Sequence, residues 1–320
     1  MAAPLAMGIE IGGTKLQAVV GDRNAKVHAV RRGRVEPGHG AQGILAWLER
    51  EVAALLDECG ADTRRRITAL GIGFGGPVDS ATGQVLVSHQ VAGWDGVALK
   101  SWAEDRFSLP TVVANDANAA GWAEYRAGAG AGTRHFFYMN IGSGIGGALV
   151  LDGTLHDGQG RGAGEIGHTY VPDWTAELPG ATDKLEHICS GWSIERRIRG
   201  WALAGPDTPL ARLCGGDPHM LTCPMLAEAA RAGDAQAQAE IERVANSIGI
   251  ALANVLSLGH PERVALGGGV ALMGETLLVP VRRAVAEYVF GPFGGRYEIV
   301  PCQLGEQVVP TGAILLALDP

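Results

Sequence analysis

The stretch VVANDANAAGWAEY, residues 112–125, sets an ionisable carboxylate at the seam between a β-branched apolar run and an Ala-rich segment that reads as a helix. Two chemistries suit Asn115-Asp116 at that seam. Asn and Asp are among the best helix N-caps, since their side chains accept an otherwise orphaned backbone N–H at the positive end of the helix dipole. An aspartate held this rigidly is also suited to take a proton from a reacting hydroxyl. The two roles are compatible, so the rest of the chain has to decide.

Glycine is the loudest compositional signal. The 48 glycines cluster at 12–13, 71–76, 142–147, 158–167 and 267–269, each beside an apolar run. Such turns at strand ends let backbone approach a ligand closely. Two segments, Gly71 to Gly76 and Gly142 to Gly147, match G-x-G-x-x-G. A dinucleotide fingerprint needs a helix opening inside the motif. Here the first is followed by the turn Pro77-Val78-Asp79 and the second by the β-like ALVL, and a P-loop is absent. The remaining reading is a hairpin whose backbone N–H groups form an anion nest, with an ordinary glycine turn as the bland alternative.

The elements that must position these loops follow from apolar spacing. Runs at 7–11 and 16–20 flank Gly12-Gly13-Thr14-Lys15 as a hairpin, 41–58 has the spacing of an amphipathic helix, and 69–74 and 111–115 read as buried strands. A second series repeats the architecture without repeating the sequence. A strand pair at 135–142 and 147–153 surrounds the turn Ser143-Gly144-Ile145-Gly146. A long helical region over 224–258, a strand at 263–268, a helix at 275–289 and a short apolar C-terminal helix follow. Strands alternating with helices argue for an α/β protein. Its 320 residues exceed a comfortable single core. We expect a small domain over 1–115, rejoined by the helix 308–320, and a large one over 116–307.

A balance of 26 Lys plus Arg against 34 Asp plus Glu, net −8, disfavours nucleic acid as a partner. No apolar run reaches the length of about 18 residues that crosses a bilayer. The N-terminus lacks the pattern of a signal peptide, so a cytoplasmic location without membrane attachment is expected. Five cysteines without a CxxC pair read as isolated, mostly buried thiols.

Taken in order, EIGGTK (10–15), GIGFGGPVD (71–79), NDANAA (115–120), NIGSGIGG (140–147), GAGEIGH (162–168) and ALGGGV (265–270) resemble the ROK family of repressors, uncharacterised reading frames and sugar kinases across nearly the whole chain. The likeness is to its glucokinase type. It implies the actin-like ATPase fold, two α/β domains around a cleft, and transfer of the ATP γ-phosphoryl group to a sugar hydroxyl with Mg²⁺. By this resemblance Gly12, Gly13, Thr14 and Lys15, with Gly142, Ser143 and Gly144, face the ATP phosphates, and Gly268 and Gly269 lie near the adenosine. Asp116 matches the catalytic base. Gly76, Asn115, Glu165, His168 and Glu186 match sugar contacts, and a homodimer is implied. A sugar is a ring of hydroxyls, each donor and acceptor, which suits carboxylates, an amide and an imidazole. Taken singly, Glu165 also reads as a surface turn, His168 as a core histidine, Glu186 as a solvated helix charge and Trp94 as packing.

Glucose is the expected acceptor, with N-acetylglucosamine, mannose and fructose as runners-up. The rivals are a sugar-sensing regulator, whose extra DNA-binding domain would precede the first phosphate motif where nine residues stand here, and a non-catalytic sugar-binding relative. The chain departs from the family pattern in four places. The cysteines that usually join the GEIGH histidine in a structural zinc site are missing from HTYVPDWTAELPGATDKLEHICSG (168–191), so no structural zinc is expected and Trp174, Leu178 and Leu185 should hold the loop by packing. Lys184-Leu185-Glu186 stands where the family has Cys-Leu-Glu. Glu10 replaces an Asp, which either brings a longer arm into direct reach of Mg²⁺ or is a local substitution of no consequence, and Gln90 replaces an Asn of a sugar-contacting loop.

Overall fold

The computed structural model describes residues 3–88, 90–205 and 208–319. Met1 and Ala2, which open the expected small domain, and Pro320, which ends the expected C-terminal helix, lie outside them. β1 (Leu5–Ile11) and β2 (Lys15–Asp22) pair antiparallel down to Ile11↔Leu16, which closes Gly12 to Lys15 into a turn. The Gly12 N–H donates to the Lys15 carbonyl at 3.0 Å. β3 (Val27–Arg34) forms one edge. The helix α1 (Gly40–Arg66) runs past its expected end, through a break at Gly60 whose φ of 74° leaves the helical region. β4 (Ile67–Phe74) lies parallel to β1. A short hairpin of β5 (Val78–Asp79) and β6 (Gln84–Val85) and helix α2 (Leu99–Phe107) precede β7 (Thr111–Asn115), which completes a sheet ordered β3-β2-β1-β4-β7. Every residue of β1 is buried, as befits a central strand covered on both faces. Trp94 packs edge-on against Phe74 with ring centroids 5.0 Å apart, in the packing role expected of it.

α3 (Asp116–Ala127) leads into the second sheet. β8 (Phe136–Ile141) and β9 (Ile145–Leu151) pair from Phe136↔Val150 to Ile141↔Ile145. The glycine turn is therefore Gly142 to Gly144, tighter than expected, because Ile145 and Gly146 join the ladder. β10 (Thr154–Leu155) forms that edge. A small ribbon of β11 (Tyr170–Pro172) and β12 (Thr182–Lys184) leads to α4 (Leu185–Cys189), α5 (Gly191–Ala204), α6 (Pro209–Leu213) and α7 (Cys223–Arg231). α8 (Ala235–Gly259) is separate from α7: Gly233 takes a φ of 91°, and Asp234 caps the new helix by accepting from the N–H groups of Gln236 and Ala237. The single helical region expected over 224–258 is thus two helices, split by one glycine and one cap.

By length and composition α8 is apolar enough to cross a bilayer, which a search for uninterrupted apolar runs overlooks. Its apolar side, including Ile241, Val244, Ile248 and Leu252, is buried in the larger core. β13 (Arg263–Gly267), α9 (Glu275–Tyr288) and β14 (Glu298–Pro301) complete a sheet ordered β10-β9-β8-β13-β14. α10 (Val308–Leu318) crosses back to lie against α3, β1 and β4, as its apolar composition required. Separate apolar clusters fill the two sheets, one around β1, β4 and α1, the other around β8, β13, α8 and α9.

Candidate active site

The seam resolves into a division of labour. Asn115, in extended conformation at the end of β7, is the helix cap: its Oδ1 accepts from the N–H groups of Ala117 at 2.9 Å and Asn118 at 3.3 Å. Its Nδ2 donates to the Gly76 carbonyl at 3.1 Å, which ties the cap to the turn after β4. Asp116 is the first helical residue rather than the cap. Its Oδ1 accepts from the Ala117 N–H at 2.8 Å, and Oδ2 lies beside the Gly75 backbone. Surrounding protein raises its pKa to about 7; the Glu10 and Glu165 charges add to the rise and the Ala117 N–H opposes it. A carboxylate with that affinity for a proton, at the edge of a cleft, is suited to accept one.

Glu10 lies near the end of β1, which β4 separates from β7 in the sheet. Pairing opposite Gln17 lets it accept from Gln17 Nε2 at 2.7 Å, and Lys15 Nζ lies 3.1 Å from the same oxygen. Burial raises its pKa and the Lys15 ammonium opposes the rise. Lys15 also donates to the Glu306 carbonyl at 3.1 Å, just ahead of α10. A cavity of about 470 Å³ opens here, lined by Glu10, Lys15, Asp116, Tyr138, Gly268 and Glu306, among others. Gly269 and Asn140 line it too, whereas Gly12 to Thr14 and Gly142 to Gly144 form turns outside its lining. Gly268 has a φ of 86°, and a Cβ there would stand 2.5 Å from the Ile141 carbonyl oxygen, so only glycine fits. Gln90 presses its amide on Gly13, where a Cβ would come within 1.2 Å of Oε1.

Of the residues of GAGEIGH, Glu165 stands close enough to Asp116 for its charge to act on it. Burial of its carboxyl raises the Glu165 pKa, His168 lowering it and Glu186 raising it further. Glu186 reaches the second glycine turn: its Oε2 accepts from the Ile145 N–H at 2.7 Å and occupies the space where a Gly144 Cβ would stand. His168 Nδ1 lies 3.1 Å from Lys184 Nζ. Asn115, Gly76, Asp116 and Glu165 are brought together, and Glu186 joins this group to the turn at Gly144.

Two further residues escaped sequence reading. Glu124, fully buried on α3, accepts from the backbone N–H groups of Ala129 at 2.8 Å, Gln303 at 2.9 Å and Leu304 at 2.8 Å, which fastens the segment after β14 to α3. It reads in sequence as an ordinary charge on a helix. Tyr138, whose phenol burial holds well above the usual tyrosine range, lines the cavity from β8.

No group of three or more His, Cys, Asp or Glu side chains is placed to hold a metal among the described residues. The donor set does not fit a tetrahedral zinc, because the neighbour of His168 is an ammonium and Cys189 is buried against the Val244 carbonyl of α8. The loop is held differently. Trp174 Nε1 donates to Ser247 Oγ at 3.1 Å, and the guanidinium carbons of Arg197 and Arg243 lie 4.8 and 5.6 Å from the ring. Leu185 is buried as expected, while Leu178 is 73% exposed and takes no part. Trp174→Ala should therefore cost about 2 kcal/mol in urea unfolding, as loss of a packed aromatic with its hydrogen bond implies.

Two sheets, each opening on a glycine hairpin, with an aspartate at the seam and a crossing C-terminal helix, define an actin-like ATPase fold of the sugar-phosphotransferase kind. The chain belongs to the ROK family, whose profile matches residues 6–320. It is 31% identical to a glucokinase of Streptomyces coelicolor over 99% of this chain and 98% of that one. A ROK family glucokinase from Streptomyces griseus, solved in complex with glucose and AMPPNP, superposes with a TM-score of 0.81 at 31% identity, covering 99% of this chain and all of the other. A ROK hexokinase from Thermus thermophilus gives 0.76 at 28% identity, covering 98% of each.

Proposed function

We propose that the protein is an ATP-dependent hexokinase that phosphorylates glucose at its 6-hydroxyl. The observation that carries this is Asp116, a carboxylate set between a nucleotide-sized cavity and a cluster of sugar-suited side chains, its proton affinity raised to about pH 7. Asp116 takes the hydroxyl proton as the sugar oxygen bonds to the γ-phosphorus of ATP and the bond to the ADP oxygen breaks. Glu165, His168, Asn115 and the Gly76 turn orient the ring. Lys15, Gly12 to Thr14 and Gly142 to Gly144 face the phosphates, with Gly268 and Gly269 at the adenosine. Mg²⁺ bound near Glu10 would neutralise phosphate charge. Lys15 leaves Glu10 and the Glu306 carbonyl to reach the phosphates. The bodies 1–115 with 308–320 and 116–307 close over the substrates, in a cytoplasmic homodimer.

The base works as a carboxylate, so kcat/KM for the sugar should fall below about pH 7 and level off above it, following the raised pKa of Asp116. Initial rates of sugar-dependent ADP release between pH 5 and 9 test this. A profile flat across pH 7 would remove Asp116 from the role.

A further inference from the structure

β11 and β12 pair so that Tyr170 faces Lys184, and the Leu185 N–H donates to the Thr169 carbonyl at 2.8 Å. This two-stranded ribbon brings His168, at the end of the turn Ile166–His168, beside a lysine sixteen residues away. An ammonium has three donors and no acceptor. The 3.1 Å contact therefore makes His168 Nδ1 the acceptor, and the ring proton sits on Nε2. Among the described residues, Glu165 on the same loop feels both His168 and Glu186 of α4, and Asp183 on β12 feels Lys184 and is engaged by His187 Nδ1 at 3.0 Å. Glu165, left as the neighbour of an unpaired imidazole, would compete for an N–H of the ring.

We propose that Lys184 is a positioning residue of the sugar site, which fixes His168 in the Nε2–H tautomer so that the imidazole meets the sugar as a hydrogen-bond donor. The proposal rests on the reading of His168 as a sugar contact. Its consequence is a pairing of functions. Glu165 and Asp116 are acceptors when ionised, so a hydroxyl that donates to a carboxylate can accept from His168. A site that supplies both partners favours a hydroxyl over a bare carbon, because the deoxy analogue leaves both groups unpaired. Lysine thus does for the ring what a carboxylate accepting from Nδ1–H does for the opposite tautomer.

Long-range ¹H–¹⁵N spectra of the imidazole report the tautomer without any sugar present. The wild-type protein should show His168 as Nε2–H, and Lys184→Met should populate both neutral tautomers, with Lys184→Arg restoring the first. Kinetically, Lys184→Met should raise the sugar KM by roughly two- to threefold, because the donor tautomer is then only partly populated. The kcat, the ATP KM and the melting temperature should stay near wild type. His168→Gln separates the two ideas. If it leaves the sugar KM unchanged, the assignment of His168 to the sugar fails and the proposal falls with it. If it raises the sugar KM while Lys184→Met alters neither tautomer nor KM, the proposal alone is overturned. A fall in melting temperature and rise in ATP KM that match the loss of sugar affinity in Lys184→Met would assign the lysine to the fold instead.

Discussion

Asp116→Asn is expected to lower kcat by about 10³-fold, within the range that a positioned general base contributes. The amide keeps the Oδ1 that accepts the Ala117 N–H at 2.8 Å, so helix α3 and the cap at Asn115 should stand unchanged. ATP affinity should therefore survive. Stability adds an independent readout. The folded-state pKa of Asp116, about 7, lies above the ordinary value of 3.8. Stability is accordingly whole below the lower value and is lost as the pH rises through the upper one, while an asparagine loses nothing. The variant should melt higher than the wild type at pH 8, with the gap closing toward pH 4. A gap independent of pH would show that the carboxylate is not held in the environment described, whatever its part in the reaction.

Gly312→Ala should be strongly destabilising. α10 lies so close to its neighbours that a Cβ at Gly312 would stand 1.7 Å from the Ala119 carbonyl oxygen. The same helix meets β4 at Gly71, where a Cβ would come within 1.9 Å of the Ala313 carbonyl oxygen, and β1 at Gly8, 2.1 Å from that of Pro310. These neighbours are backbone, and no rotamer can move them aside. Forcing the helices apart should cost about 3 kcal/mol, the upper part of what overpacking does in a dense core. Ala119 follows Asp116 by three residues on α3, so the displacement also carries the base, and kcat should fall by about 10²-fold in the surviving folded protein. Gly200→Ala on α5 is the control: nothing stands within 4 Å of its Cβ position, and better helix propensity should stabilise it by about 0.5 kcal/mol. Urea unfolding compares the two, and equal midpoints would contradict this account of α10.

What sequence made legible here depended on how local the signal was. The first glycine hairpin could be placed because apolar β-branched runs flank it directly, and Ile11↔Leu16 pairing follows from that pattern. The second turn came out too wide, since Ile145 and Gly146 look like loop residues until β8 offers them partners. Asp116 and Asn115 both read as caps. Only the geometry assigns the cap to Asn115, because the choice turns on which oxygen faces the Asn118 N–H. Contacts at long range left no trace in spacing. Glu124 finds Gln303 and Leu304 some 180 residues away, and the Lys15 side chain finds the Glu306 carbonyl. Leu178, apolar in sequence, lies in the solvent, while Trp174 of the same loop packs between two arginines.

The central claim is that this cleft joins a sugar hydroxyl to the ATP γ-phosphoryl group with Asp116 as base. A coupled assay of ADP release with ATP and Mg²⁺, run across glucose, mannose, fructose and N-acetylglucosamine, tests it most directly. ADP formation that depends on glucose, and disappears in Asp116→Asn, is the predicted result. Turnover with none of these sugars, or sugar-dependent turnover undiminished in Asp116→Asn, would contradict it.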